Sequence, residues 1–138
     1  MSGTARVRIL TLLTASLLGG GPMALAHHSF AMFDLTTKVT LSGVVTRFEW
    51  TNPHAYIEID VPAEDGSPAH WTIELGSPSI LMQSGWKFND LKAGDEVTVE
   101  ISPLRNGSAG GLLEYVVLPD GRPLGNGPGR GPSGGAAP

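Results

Sequence analysis

Lys38-Val39-Thr40-Leu41-Ser42-Gly43-Val44-Val45-Thr46-Arg47-Phe48-Glu49-Trp50 is rich in β-branched and aromatic residues, the composition of a strand. Its apolar side chains fall at odd positions first, Val39 and Leu41, and at even positions later, Val44, Phe48 and Trp50. Successive side chains of a strand point to opposite faces, so a change of parity needs an extra residue or a turn of the backbone. The break falls at a glycine. We therefore expect a β-bulge at Gly43 and a long first strand that bends there.

Working downstream, Thr51-Asn52-Pro53 ends that strand as a turn. Residues 54–61 then alternate, with Ile57, Ile59 and Val61 on one face and His54, Tyr56, Glu58 and Asp60 on the other. The segment 62–68 contains Glu64-Asp65-Gly66 and reads as a hairpin loop. Residues 69–75 follow as a strand, with Trp71, Ile73 and Leu75 inward and His70, Thr72 and Glu74 outward. If the loop pairs Val61 with Ala69, then Asp60 falls opposite His70, Glu58 opposite Thr72, and Tyr56 opposite Glu74.

The period then changes. Ser77 can cap a helix with Pro78 in its first turn, Gly85 suits a left-handed C-cap, and Trp86 can fold back on Leu81. Leu91-Lys92-Ala93-Gly94-Asp95 turns into a strand over 96–101, and a loop with Asn106-Gly107 leads to a last strand over 111–118, closed by Asp120-Gly121. Three strands, a short helix and two strands predict an all-β domain with one short helix, a five-stranded OB-like Greek-key barrel plugged by the helix. A small β-sandwich is the alternative with the same strand count.

The ends read differently. Arg6 and Arg8, an apolar run over 9–18, and Ala24-Leu25-Ala26 have the layout of a cleavable signal peptide over 1–26. The apolar run is short of the roughly 20 residues a membrane span needs. The expected mature chain starts at His27 and is periplasmic. It has an N-terminal extension (27–35), a domain (36–124) and a disordered Gly/Pro-rich tail (125–138). It keeps seven of the nine Lys and Arg and all thirteen Asp and Glu, a formal charge of −6. Such a chain repels nucleic-acid backbones and attracts cations, so no nucleic-acid partner is expected. Without cysteine, it has neither a disulfide nor a thiolate metal site.

One set of short segments belongs together: His27-His28-Ser29-Phe30, Phe33-Asp34, Gly43-Val44-Val45, Trp50-Thr51-Asn52-Pro53-His54, Ser84-Gly85-Trp86, Leu91-Lys92-Ala93-Gly94-Asp95 and Asp120-Gly121-Arg122. In this order they resemble an uncharacterised family of small exported bacterial proteins, a domain of unknown function (family 6152). The resemblance implies an envelope location and assigns no enzyme activity.

Two sets of residues carry chemistry. After cleavage His27 offers an α-amino group and an imidazole, with further imidazoles from His28 and His54. Nitrogen donors of this kind suit Cu(II) best. Copper is thus the candidate cofactor, and His27, His28 and His54 its candidate ligands. The plain alternative makes the first two polar residues at a permissive cleavage site and His54 a turn residue. The outer face of the second and third strands, Tyr56, Glu58, Asp60, His70, Thr72 and Glu74, is the second candidate, because barrels of this kind use that region for ligands. It lacks the basic groove and stacked aromatics that single strands need. Trp50, Trp71 and Trp86 read as core residues. No nucleophile elbow, phosphate loop or HExxH pair occurs, so no catalytic residue is assigned. The expected function is a periplasmic binding or accessory module, with copper as its sharpest version. An envelope protein-interaction module without metal and a small copper-dependent oxidoreductase are the rivals.

Overall fold

The structure, a computed structural model, describes residues 30–131. The expected signal peptide, His27, His28 and residues 132–138 lie outside the described residues. After a 3₁₀ turn (Phe30–Met32), the chain forms β1 (Val39–Glu49), β2 (Tyr56–Pro62), β3 (Pro68–Glu74), α1 (Pro78–Gln83), β4 (Glu96–Pro103), β5 (Gly110–Val117) and β6 (Pro123–Gly125). Neighbours run β3-β2-β1-β4-β5-β6, and a parallel pairing of β3 with β5 closes the first five strands into a barrel. Closure in the order 1-2-3-5-4, with a helix between the third and fourth strands, is the OB-type arrangement. It excludes the sandwich, whose two sheets stay open.

The β2–β3 hairpin has the expected register throughout, from Tyr56↔Glu74 to Val61↔Ala69. Its inward residues Ile57, Ile59 and Ile73 are fully buried with Val99 and Ile101 of β4 and Leu113 and Val116 of β5. Each such side chain contributes about 1.5–3 kcal/mol on leaving water, so this layer dominates the fold's stability.

The bend in β1 differs from expectation. β1 pairs with β2 at Val45↔Ile59 and resumes at Arg47↔Glu58, so the extra residue is Thr46 and not Gly43. Val45 is the buried side chain, whereas Val44 is 41 % exposed. Gly43 lies near the point where β1 exchanges its β4 neighbour for β2. A Cβ there would stand 2.5 Å from the Asp60 carbonyl oxygen. Glycine is needed for close approach of two backbones, and the bulge follows three residues later.

A helix of six residues is far too short to hold itself together. Leu81 anchors α1 by filling one end of the barrel, fully buried beside Leu75 and Trp86. Ser77 is the N-cap residue, but its hydroxyl meets Ser79 Oγ at 3.0 Å and makes no capping bond. The other end is closed by Trp86 N–H donating to the Leu81 carbonyl and Gly85 N–H to that of Met82, with Gly85 at φ +89°. Trp86 is 2 % exposed, and its ring centroid lies 5.8 Å from that of Phe48. Trp50 and Trp71 pack against the same core.

Both ends of the domain are ordered further than expected. Phe33, placed in the extension, is 2 % exposed and bridges to Leu104. Asp34 N–H donates to the Pro103 carbonyl, and Arg105 N–H to that of Met32. At the other end β6 is an additional strand, paired with β5 at Val116↔Leu124. Trp86 Nε1 donates to the Gly125 carbonyl at 2.9 Å, and Gly76 N–H to Asn126 Oδ1 at 2.6 Å. Residues 125–127 are therefore packed parts of the domain, where a disordered tail was expected to begin.

Candidate functional site

The β2–β3 ladder continues past the named strands: Ala55 N–H donates to the Gly76 carbonyl, and Leu75 N–H to that of Ala55. Ala55 thus bonds both Leu75 and Gly76, and a Cβ on Gly76 would stand nearest Asn126 Oδ1 and the Ile80 side chain. His54 and Tyr56 share a face by the two-residue period, and Glu74 is the register partner of Tyr56. The imidazole reaches Glu74 along this diagonal. His54 Nδ1 lies 2.6 Å from Glu74 Oε1, with the side chains 32 % and 17 % exposed.

That pair lines a cleft of about 410 Å³. Its walls include Phe30 from the N-terminal segment, Ile80 from α1, Leu112 from β5 and Arg130 from the C-terminal segment. Both ends of the described chain converge here. Glu74 also lines a smaller cavity of about 280 Å³ with Tyr56, Thr72 and Met32. The carboxylate thus stands between two concavities, with the imidazole on the side of the larger one. Burial pushes the Glu74 carboxyl up from its ordinary range, opposed by the neighbouring His54. Burial, then the negative charges of Glu74 and Glu49, likewise push the Tyr56 phenol up.

The outer face of β2 and β3 therefore divides. Tyr56, Thr72 and Glu74 line these two cavities, whereas Glu58, Asp60 and His70 pair among themselves, Asp60 also lining a separate cavity of about 520 Å³ beside Gly43 and Glu96. His70 Nδ1 lies 2.9 Å from Asp60 Oδ1, its Nε2 lies 3.6 Å from Glu58 Oε2, and Arg47 Nη1 approaches Glu58 at 3.8 Å while also pairing with Glu49. Every carboxylate in this group already has a cationic or imidazole neighbour.

Of the three candidate metal-binding histidines, only His54 is within the described residues, and it stands in a cleft as a site requires. Among the described residues, no group of three or more His, Asp or Glu side chains is arranged to hold a metal ion. Sequence reading missed Arg130 and Asn126, because they sit in a Gly/Pro-rich stretch without periodicity. It also missed the His54–Glu74 contact, which joins residues assigned to two separate candidate sets. The hairpin register was the available signal, since it sets Glu74 opposite Tyr56 and so diagonal to His54.

Arg130 Nη1 also approaches Glu114 Oε2 at 3.7 Å, and Glu114 takes bonds from Lys38 Nζ (2.5 Å) and Ser102 Oγ (2.6 Å). Burial raises the Glu114 carboxyl, but Lys38, Ser102 and Arg130 together outweigh it and the net shift is downward. Ser102 is fully buried, so this cluster fastens the back of the cleft and offers no accessible nucleophile.

Fold and site together define a small closed OB-type barrel with a histidine–carboxylate pair in a cleft where its termini meet. The chain belongs to the family of unknown function DUF6152, whose model matches residues 15–114. No curated protein and no solved structure matches it.

Proposed function

We propose that this is an exported, periplasmic binding module that holds a copper ion at the cleft through His54 and the mature N-terminal residues His27 and His28. The position of Phe30 is the observation that carries this reading. Phe30 lines the cleft with His54 and Glu74, and the residues just after it are fastened to the end of β4 through Met32 and Asp34. His28 precedes Phe30 by two residues and His27 by three, so extended chain gives them a reach of about 7 and 10 Å from that wall. The free amine and imidazole of His27, with the rings of His28 and His54, form a nitrogen donor set suited to Cu(II). A formal charge of −6 on the mature chain favours cation capture. Export is supported by the basic, apolar and small-residue sequence of positions 1–26.

The test is a copper titration of protein that begins at His27, compared with His54→Ala and with protein carrying one extra residue before His27. The expected result is micromolar or tighter binding that both changes weaken. Equal affinity in all three proteins overturns the reading. Mass spectrometry of the periplasmic fraction should find a mature terminus at His27. The rival reading, an envelope interaction module without metal, draws support from exposed Ile80, Met82 and Phe88 around α1. It predicts no saturable copper binding in the same titration.

A further inference from the structure

The geometry points to Glu74 as a positioning residue that fixes the ring orientation and tautomer of His54, so that Nε2 is the nitrogen that meets copper. The inference rests on the copper reading above and assigns Glu74 a role that the candidate ligand set left out.

Two observations carry it. His54 Nδ1 and Glu74 Oε1 are 2.6 Å apart, the separation of a charge-assisted contact. Glu74 is a half-buried carboxylate whose one basic side-chain partner within 4 Å among the described residues is the His54 imidazole. Ionised carboxylates are costly to bury unless paired, so this contact is what makes a carboxylate tolerable between the two cavities. The carboxylate accepts the Nδ1 proton, and a neutral imidazole protonated at Nδ1 carries its lone pair on Nε2. Metal-bound histidines repeatedly use such an acceptor on the other ring nitrogen, which sets orientation and raises ligand basicity. Glu74 acts through His54, with its Oε1 held at Nδ1, the ring nitrogen turned away from the metal.

The test uses protein beginning at His27 in five forms: unmodified, His54→Ala, Glu74→Ala, Glu74→Gln and the double variant His54→Ala/Glu74→Ala. The first readout needs no metal. Long-range ¹H–¹⁵N correlation spectra at about pH 8 report which imidazole nitrogen of His54 holds the proton. The unmodified protein should show the proton on Nδ1. Glu74→Gln should keep it there, because its amide oxygen still accepts, and Glu74→Ala should move it to Nε2. Dispersed amide spectra of both variants check that the barrel is intact.

The second readout is Cu(II) affinity. Glu74→Ala should weaken binding about 10–100-fold, Glu74→Gln less, and the double variant no more than His54→Ala alone. A proton on Nε2 in the unmodified protein overturns the inference. So does full copper affinity in Glu74→Ala when His54→Ala is weakened, or additive losses in the double variant, which would make Glu74 a direct ligand. His54→Ala binding copper like the unmodified protein is a separate failure, that of the copper reading itself.

Discussion

Gly43→Ala isolates the contact on which the path of β1 depends. The new methyl group would lie 2.5 Å from the Asp60 carbonyl oxygen, 3.1 Å from its carbon and 3.2 Å from Val61 Cγ2. The first two atoms are backbone, so no rotamer change relieves them, and β1 and β2 must separate by nearly 1 Å to restore an ordinary contact. Overpacking of this kind costs about 1–3 kcal/mol. Reduced freedom of the unfolded chain returns about 0.4–1 kcal/mol for Gly→Ala. The net expectation is a loss of about 1–2 kcal/mol, or roughly 5–15 °C in Tm for a domain of this size. Urea and thermal unfolding measure it. Hydrogen exchange should also accelerate at the amide of Val44, opposite Asp60, more than along β4 and β5. Gly94→Ala is the control: its φ is +93° and nothing lies within 4 Å. Its cost, about 1 kcal/mol, comes from backbone conformation alone. A Gly43→Ala protein as stable as the parent, with unchanged exchange in β1, would refute the close-approach account.

Two further perturbations test how the chain ends are held. Trp86→Phe removes the donor to the buried Gly125 carbonyl and should cost about 1–3 kcal/mol, with amide protection lost first in β6 and retained in the β2–β3 hairpin; uniform loss would contradict it. Asp34 is held down from its usual 3.8 to about 2 by the Thr36 and Thr37 hydroxyls and the Thr36 amide. A depressed carboxyl contributes stability that is present above its ordinary value and lost as pH falls through the folded one. Asp34→Asn should therefore be less stable than the parent at pH 6, with the gap closing between about pH 4 and 2; a gap independent of pH in urea unfolding would sink this assignment.

What could be read from the sequence followed from how strongly each segment constrains its neighbours. The β2–β3 hairpin is legible to the residue because isoleucines alternate with polar residues on both sides of a short loop, and one slip would turn every isoleucine outward. The phase change in β1 was legible in kind but not in place. Val44 and Val45 are identical residues, so composition alone cannot tell which one turns inward, and Gly43 drew the bulge to itself. Packing decides: Val45 fills the core, Thr46 is the extra residue, and the glycine serves the neighbouring close approach. β6 was missed because three residues flanked by proline and glycine have no period. Its order comes from pairing with the edge of β5 and from a partner distant in sequence, the indole of Trp86.

The site shows the same division between local pattern and closure of the barrel. Alternation put His54 and Tyr56 on one face and Glu74 opposite Tyr56, so each residue was nameable and their neighbourhood nearly so. The meeting of His54 with Glu74 needed one further fact, the side-chain orientation that brings Nδ1 to 2.6 Å from Oε1, which alternation does not supply. The cleft around them needed more, because its walls come from both ends of the domain. Phe30 reaches it only because Phe33 is buried at Leu104 and Asp34 is hydrogen-bonded to Pro103. Arg130 reaches it only because β6 pairs with β5 and Asn126 is held at Gly76. Each tether is worth a few kcal/mol at most, yet together they put the start of the domain against the cleft that holds His54. A deletion that removed residues 31–34 while sparing the barrel would therefore leave the His54–Glu74 pair intact and separate it from the N-terminal histidines. If copper affinity depends on all three histidines, it should fall in that deletion as far as in His54→Ala.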